Sequence, residues 1–339
     1  MDEAPSSALT YADPVAYVAA LMGAAFVPST ERGRVWMRDR DRAALLHRLS
    51  TNHIERLRPS QGTATVLTTP IARIIDLLTV YALDDALLLV TSPGRGAAIT
   101  QYLRKNSFFN DKVQVEDATA TLDQLTLYGP QAASLLQNLG IAGTTLPAHS
   151  IVLTTWREAP LYLARDPEPG EPSFWVIAPP APLAELAAAL RVAGAHELDA
   201  ATHEVLRVEA GRGAYGRELS LEYLPLEAGL RYAMSFTKGC YVGQEIIARM
   251  ENRGRLVRCL RGLRLAAPPM LAADAPLATL TAADTVVGVL TSFVVSPRYG
   301  PLGLAYINMA HSAPGTHLMV ADVAAEVVDL PFKIVDSRL

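Results

Sequence analysis

Residues 40–49 place their apolar side chains on one face at helical spacing behind Asp39, a residue type that caps helix starts, and this predicts a helix lying on the core. Asp13-Pro14 marks an earlier helix over 15–24, and a strand is expected at 34–38. From residue 63 the period changes. Three β-rich runs, 63–67, 74–81 and 86–90, are broken at Pro70 and at Asp84-Asp85, where turn-forming residues predict antiparallel hairpins. A helix over 94–105, strands near 113–115 and 122–127, and a helix after Gly129-Pro130 continue the alternation. Neither the long parallel spacing of βαβ units nor a glycine-rich dinucleotide fingerprint occurs, so the pattern predicts an α+β fold rather than a doubly wound α/β one.

Further along, residues 179–194 are rich in alanine and leucine and predict a helix, with another over 200–210. The stretch 167–172, with Pro167, Pro169, Gly170 and Pro172, is expected to be a surface loop between strands, and the first residues through Ser7 a frayed terminus. Beyond about residue 258, short strands alternate with turns at Pro268-Pro269, Asp274, Asp284 and 297–300, the pattern of a small C-terminal β-barrel or sandwich. The expected division is residues 1–255 and 256–339.

Composition narrows the class. The chain has 339 residues, half of them hydrophobic, enough for a substantial core and two or three domains. Charged residues are 19% and the formal net charge is -4, so no strong positive field draws the protein to nucleic acid or anionic lipid. Cys240 and Cys259 are the two cysteines, and the pattern of a basic start followed by an apolar run is not seen before them, so neither secretion nor a disulfide scaffold is expected and a reducing cytoplasm is. The longest apolar runs, such as 87–90, fall far short of a membrane span.

Two stretches carry candidate chemistry. Lys238-Gly239-Cys240-Tyr241-Val242-Gly243-Gln244-Glu245 gathers a thiol, a cation and two glycines: Lys238 beside Cys240 would favour the thiolate, and the glycines permit positive φ or close approach. The same run is also what a loop entering a helix looks like, with Cys240 a small buried hydrophobe. Upstream, Glu209 lies in Leu206-Arg207-Val208-Glu209-Ala210-Gly211-Arg212-Gly213-Ala214-Tyr215-Gly216, where glycines break a helix. A carboxylate there can accept paired hydrogen bonds from a flat heterocycle with adjacent N–H groups, or pair with Arg207 or Arg212 on a solvated face. The histidines, from His47 and His53 to His311 and His317, show no close ligand spacing, and two cysteines are too few for a cluster, so no metal site is expected.

The run 41–52, the stretch 206–216 and Leu224-Pro225-Leu226-Glu227-Ala228-Gly229-Leu230 together resemble the folate-binding superfamily of glycine-cleavage aminomethyltransferases, the T-proteins, over nearly the whole chain. The octapeptide from Lys238 to Glu245 is similar to the signature of the YgfZ-type branch, whose members bind folate and assist iron-sulfur enzymes, a tRNA-modifying one included. The resemblance implies a ring of two α+β subdomains plus a C-terminal β-barrel, with tetrahydrofolate against Glu209; nearby Tyr215 could pack against the flat ring or be a core tyrosine. It also places Cys240 and Lys238 in the working part of the octapeptide, and iron-sulfur client proteins among the partners, with tRNA modification an indirect link. Arg249, Arg253, Arg255 and Arg258 could meet folate glutamates, a protein or RNA phosphate, or form a solvated face; for Arg249 a folate contact is the expectation. In one place the chain departs from the transferases, which carry a glycine-rich turn and paired aspartates: here Ile75-Asp76-Leu77 keeps only Asp76. Methylene transfer needs a proton handled by a positioned carboxylate, so Asp76 is the residual catalytic candidate, or an outward polar position in a strand.

Overall fold

The structure is a computed structural model and describes residues 10–165, 173–254, 256–271 and 277–333. The first residues through Ser7 and the stretch 167–172 lie outside these. Along the chain, α1 (Pro14–Met22) and β1 (Ala25–Pro28) lead to β2 (Arg32–Arg38), α2 (Arg42–Leu49) and the meander β3 (Gly62–Thr68), β4 (Ile74–Ala82) and β5 (Ala86–Pro93). Then come α3 (Gly96–Lys105), β6 (Gln114–Asp117), β7 (Asp123–Tyr128), α4 (Ala132–Asn138), β8 (Ile151–Trp156), β9 (Ala159–Arg165), β10 (Phe174–Ala178), α5 (Pro180–Val192) and β11 (His196–Glu197). After α6 (Ala200–Glu209) and α7 (Gln244–Arg253), the strands β12 (Arg258–Leu265), β13 (Ala278–Ala282), β14 (Thr285–Ser296), β15 (Gly300–Asn308), β16 (His317–Val320) and β17 (Val323–Val328) complete the chain. The α+β expectation holds, as do the antiparallel hairpins of residues 62–93.

The chain forms two compact units, one of residues 18–198 with 231–249, the other of 1–17, 199–230 and 250–339. In the first, a five-stranded sheet in the order β3-β4-β5-β2-β6 and a six-stranded sheet in the order β11-β1-β7-β10-β9-β8 pack face to face. Trp36, Tyr81, Leu88 and Val90 from one meet Ile151, Trp175 and Ile177 from the other, and the Tyr81 and Trp175 rings contact edge to face at 6.3 Å. The outer face of the five-stranded sheet buries Leu45, Leu46 and Leu49 of α2 with Ile99 and Leu103 of α3, and that of the other sheet buries residues of α4 and α5. Each strand of the meander is therefore buried on both faces. Helix α3 comes very close to β2, because Gly33 and Gly96 face each other and a Cβ on Gly33 would stand 2.4 Å from Gly96 Cα.

Helix α2 starts later than its pattern suggests. Asp39 has φ 76° and is no cap; the helix begins after Asp41, whose carboxylate accepts the Lys112 N–H at 2.8 Å instead of a helical one.

In the second unit β12-β15-β14-β13-β16-β17 close into a six-stranded antiparallel barrel around Leu263, Leu280, Leu290, Phe293, Ile307 and Val327. A bulge in β14 between Leu290 and Ser292 shifts the register against β15. Helix α6 packs on β14 and β15.

Candidate functional site

Helix α6 is built to end at Glu209. Asp199 caps its start by accepting the Thr202 N–H at 2.7 Å, and Thr202 Oγ1 in turn accepts the Asp13 N–H at 2.8 Å. At the other end Gly211, with φ 68°, takes the left-handed position; Gly211 N–H bonds to Val208 O and Arg212 N–H to Arg207 O, which stops the helix one residue after Glu209. Glu209 is 9% exposed, and its Oε1 accepts the Tyr17 hydroxyl at 2.8 Å and the Ser296 hydroxyl at 2.5 Å. Among the described residues Oε2 accepts no hydrogen bond. Burial pushes the carboxyl above its usual range, the two hydroxyls and nearby Arg298 pulling back, and the negative end of α6 adds to the cost of its charge.

The solvated pairing of Glu209 with Arg207 or Arg212 does not occur. Arg207 instead binds Glu204 at 2.6 Å, Glu218 at 3.4 Å and Ser292 Oγ at 2.7 Å. Glu218 is fully buried and saturated: it accepts the Ala214 N–H at 2.8 Å and the Ser292 hydroxyl at 2.6 Å. This network fixes the loop after α6, which presents Tyr215 at 37% exposure through a bridge to Leu219. Tyr17, Ser296, Glu218 and Ser292 were invisible to motif reasoning because they join the stretch 206–216 only through the fold.

Asp76 lies in β4, opposite Leu67, and is completely buried. The outward-facing alternative is thereby excluded, since β4 has a covered face on each side. Ser92 N–H donates to Oδ2 at 3.4 Å, while Oδ1 accepts no hydrogen bond among the described residues. Burial pushes its carboxyl up to about 6, against the pull of Ser92 and Arg95.

The octapeptide leads into α7, and its members divide. Lys238 is buried; its ammonium donates to the carbonyls of His47 at 2.6 Å, Ser50 at 2.6 Å and Asn52 at 2.7 Å and lies 5.0 Å from the Tyr241 ring. The expected partnership of Lys238 with the Cys240 thiol is corrected accordingly: all three of its protons are engaged by the last turn of α2 and the residues after it, although burial lowers the ammonium to about 8. Cys240 is exposed, which overturns its reading as a buried hydrophobe; Cys259 is the buried cysteine. Gly243 has φ 84°, and a Cβ there would meet Thr68 Oγ1 and Thr69 O at 2.9 Å. Gly239 has nothing within reach of an added Cβ.

The arginines after the octapeptide scatter. Arg249, exposed, pairs with Glu245 at 2.7 Å. Arg258 lies 4.6 Å over the Tyr223 ring and pairs with Glu227 at 3.4 Å. Arg255 lies outside the described residues. The rings of His47 and His53, six positions apart, meet at a tilt of 56° with their centroids 4.6 Å apart. His47 Nδ1 accepts the Ile54 N–H at 3.2 Å, and burial holds both imidazoles below their usual range. Among the described residues no group of three or more histidine, cysteine or acidic side chains is placed to hold a metal, and no helix is long and apolar enough to cross a membrane.

A pair of packed sheets flanked by helices and a separate closed barrel, with a buried carboxylate at the end of the helix on that barrel, define a T-protein-like molecule. Family models agree: residues 22–238 match the GCVT N-terminal domain and 258–333 the glycine cleavage T-protein C-terminal barrel domain, so the chain belongs to the glycine cleavage T-protein family. Among its relatives, a putative chloroplastic transferase of Arabidopsis thaliana is 32% identical over 315 residues, 91% of this chain and 71% of that protein. An aminomethyltransferase of Rubrobacter xylanophilus is 30% identical over 306 residues, 88% of this chain and 80% of the relative. The crystal structure of the glycine cleavage system aminomethyltransferase T from Bartonella henselae has the same fold, with TM-score 0.85 over 96% of this chain and 91% of that one at 23% identity.

Proposed function

We propose that this chain binds tetrahydrofolate through Glu209 and serves iron-sulfur enzymes as an accessory protein of the YgfZ type, in a cytoplasmic setting, rather than carrying out aminomethyl transfer. The observation that carries the reading is β4: Asp76 is enclosed, one of its oxygens is unsatisfied, and Leu77 follows where a second carboxylate would stand. Proton transfer at an amine needs a carboxylate within hydrogen-bond reach of the reacting nitrogen, and this strand supplies at most one.

Glu209 offers the pterin of tetrahydrofolate a desolvated carboxylate with one unengaged oxygen; because Oε1 already holds two hydroxyls, the paired hydrogen bonds expected of both oxygens reduce to what Oε2 accepts. Tyr215, 37% exposed in the loop after α6, is the aromatic side chain this reading sets near the pterin. Bound tetrahydrofolate would supply a nitrogen carrier for one-carbon groups. Cys240 is the exposed group that could meet a client protein, while Lys238 builds the turn from which the thiol projects.

Two measurements test the reading. Purified protein given tetrahydrofolate and an aminomethyl-loaded lipoyl carrier should release no ammonia; turnover would establish the transferase instead. Cys240→Ala should fold and bind tetrahydrofolate like wild type yet fail to restore iron-sulfur enzyme activity, that of a tRNA-modifying enzyme included, in cells lacking the protein. Full restoration by the alanine variant would remove the thiol from the proposal.

A further inference from the structure

The two hydroxyls on Glu209 are unequal in their freedom. Ser296 Oγ accepts the Arg298 and Tyr299 N–H groups, each at 3.0 Å, so both its lone pairs are occupied and its hydrogen can go only to Glu209. The Tyr17 hydroxyl donates to the same Oε1 from α1. We propose that Tyr17 and Ser296 are positioning residues for the ligand carboxylate: they saturate Oε1 with two donated hydrogens and leave Oε2 as the one atom that meets a planar heterocycle's N–H edge. This rests on the reading of Glu209 as the folate carboxylate and deepens it by assigning which oxygen works and what sets its state.

The consequence concerns protons. An oxygen that already receives two hydroxyl hydrogens is a poor place for a third, so a protonated Glu209 carries its proton on Oε2. The same atom is then an acceptor when Glu209 is ionised and a donor when it is not. A ligand edge offering N–H is bound only by the ionised form, so affinity falls on the acid side as Glu209 takes up its proton. The groups facing the carboxyl are Tyr17 from α1, Ser296 at the end of β14 and the Arg298 cation beyond it; burial raises the Tyr17 hydroxyl, which therefore stays protonated throughout. Both hydroxyls and Arg298 favour the carboxylate against the desolvation that opposes it. Removing either hydroxyl must shift Glu209 further up.

The experiment follows the Glu209 carboxyl carbon by NMR in the ligand-free protein across pH, in wild type, Tyr17→Phe, Ser296→Ala and Ser296→Thr, and titrates each with tetrahydrofolate. The Tyr17→Phe and Ser296→Ala proteins should show Glu209 titrating at higher pH and tetrahydrofolate bound on the order of ten-fold more weakly at neutral pH, one charge-assisted hydrogen bond each. Ser296→Thr, which keeps the hydroxyl, should restore the wild-type curve, something a purely packing role for Ser296 would not require. Should the variants fail to fold, wild type alone decides: replacing hydroxyl hydrogen by deuterium must displace the Glu209 carbon resonance, and no displacement overturns the clamp. If Glu209 titrates identically in all variants the clamp is wrong, whatever the ligand does. If the titrations shift as stated but wild type binds no tetrahydrofolate, the clamp stands and the folate reading fails.

Discussion

Lys238 and Asp76 are both ionisable side chains withdrawn from water, and they differ in how far hydrogen bonds compensate them. The Lys238 ammonium satisfies three carbonyls at once. Lys238→Met keeps the bulk and leaves those carbonyls without a donor, so urea denaturation should show a loss of at least about 3 kcal/mol, at roughly 1–3 kcal/mol for each unsatisfied buried group and some recovery by water. Asp76 has a bare oxygen, and its carboxyl is pushed up to about 6. A folded-state value above the unfolded one contributes stability that is fully present below pH about 4 and is lost as pH rises through about 6. Asp76→Asn removes that loss. Its thermal stability should exceed wild type by about 1–3 kcal/mol at pH 7.5, with the gain vanishing toward pH 4. A gain that is equal at both pH values would mean that charge is not what Asp76 costs. The resemblance pointed to Glu209, whereas its partners Tyr17 and Ser296, 192 and 87 positions away, were not legible because nothing local specifies a hydroxyl's target.

At the scale of elements, legibility followed periodicity. The meander was readable because turn residues bracket β-rich runs, and the end of α6 because glycines break it at Gly211; its cap at Asp199 emerged only in the structure. The face of Asp76 was not readable, since β4 runs Ile-Ile-Asp-Leu-Leu-Thr-Val-Tyr-Ala with apolar residues on both sides, and a strand buried on both faces has no alternation to betray direction. Asp39 misled for a related reason: several polar residues precede α2, and the left-handed φ of Asp39, set by the chain's turn from β2, removed it from the helix. Glycine spacing in the octapeptide was informative only at Gly243. A tight approach of helix to strand in the first unit is at Gly33 and Gly96, where there is no room for a methyl group. Gly33→Ala should therefore lower the unfolding free energy by about 1–3 kcal/mol, as overpacking does, and speed amide exchange in α3 in particular. Uniform exchange changes would place the strain elsewhere.

At the scale of the whole molecule, the barrel's six strands come from one stretch of chain, but the unit around it does not. Its unit draws on residues 1–17, 199–230 and 250–339, and the middle stretch supplies what the outer wall of the barrel lacks. Tyr306 donates to Glu218 O at 2.8 Å and stacks on Tyr223, Ser292 and Ser296 donate to Glu218 and Glu209, and Leu260 N–H bonds to Glu227 O at 2.8 Å. A fragment of residues 256–339 keeps all six strands and the apolar interior, so it can close; but it exposes the Tyr306 ring and leaves those hydroxyls to water. Because each lost contact lies on the wall and not in the interior, the expected outcome is a weakened barrel rather than an unfolded chain. The fragment should melt well below the barrel in the intact protein, as judged by protection of β14 and β15 amides, and adding a peptide of residues 199–230 should restore part of that protection. Equal protection with and without the peptide would show that the wall contacts contribute nothing to the barrel, and would leave the α6 segment bound to it only by its covalent connections.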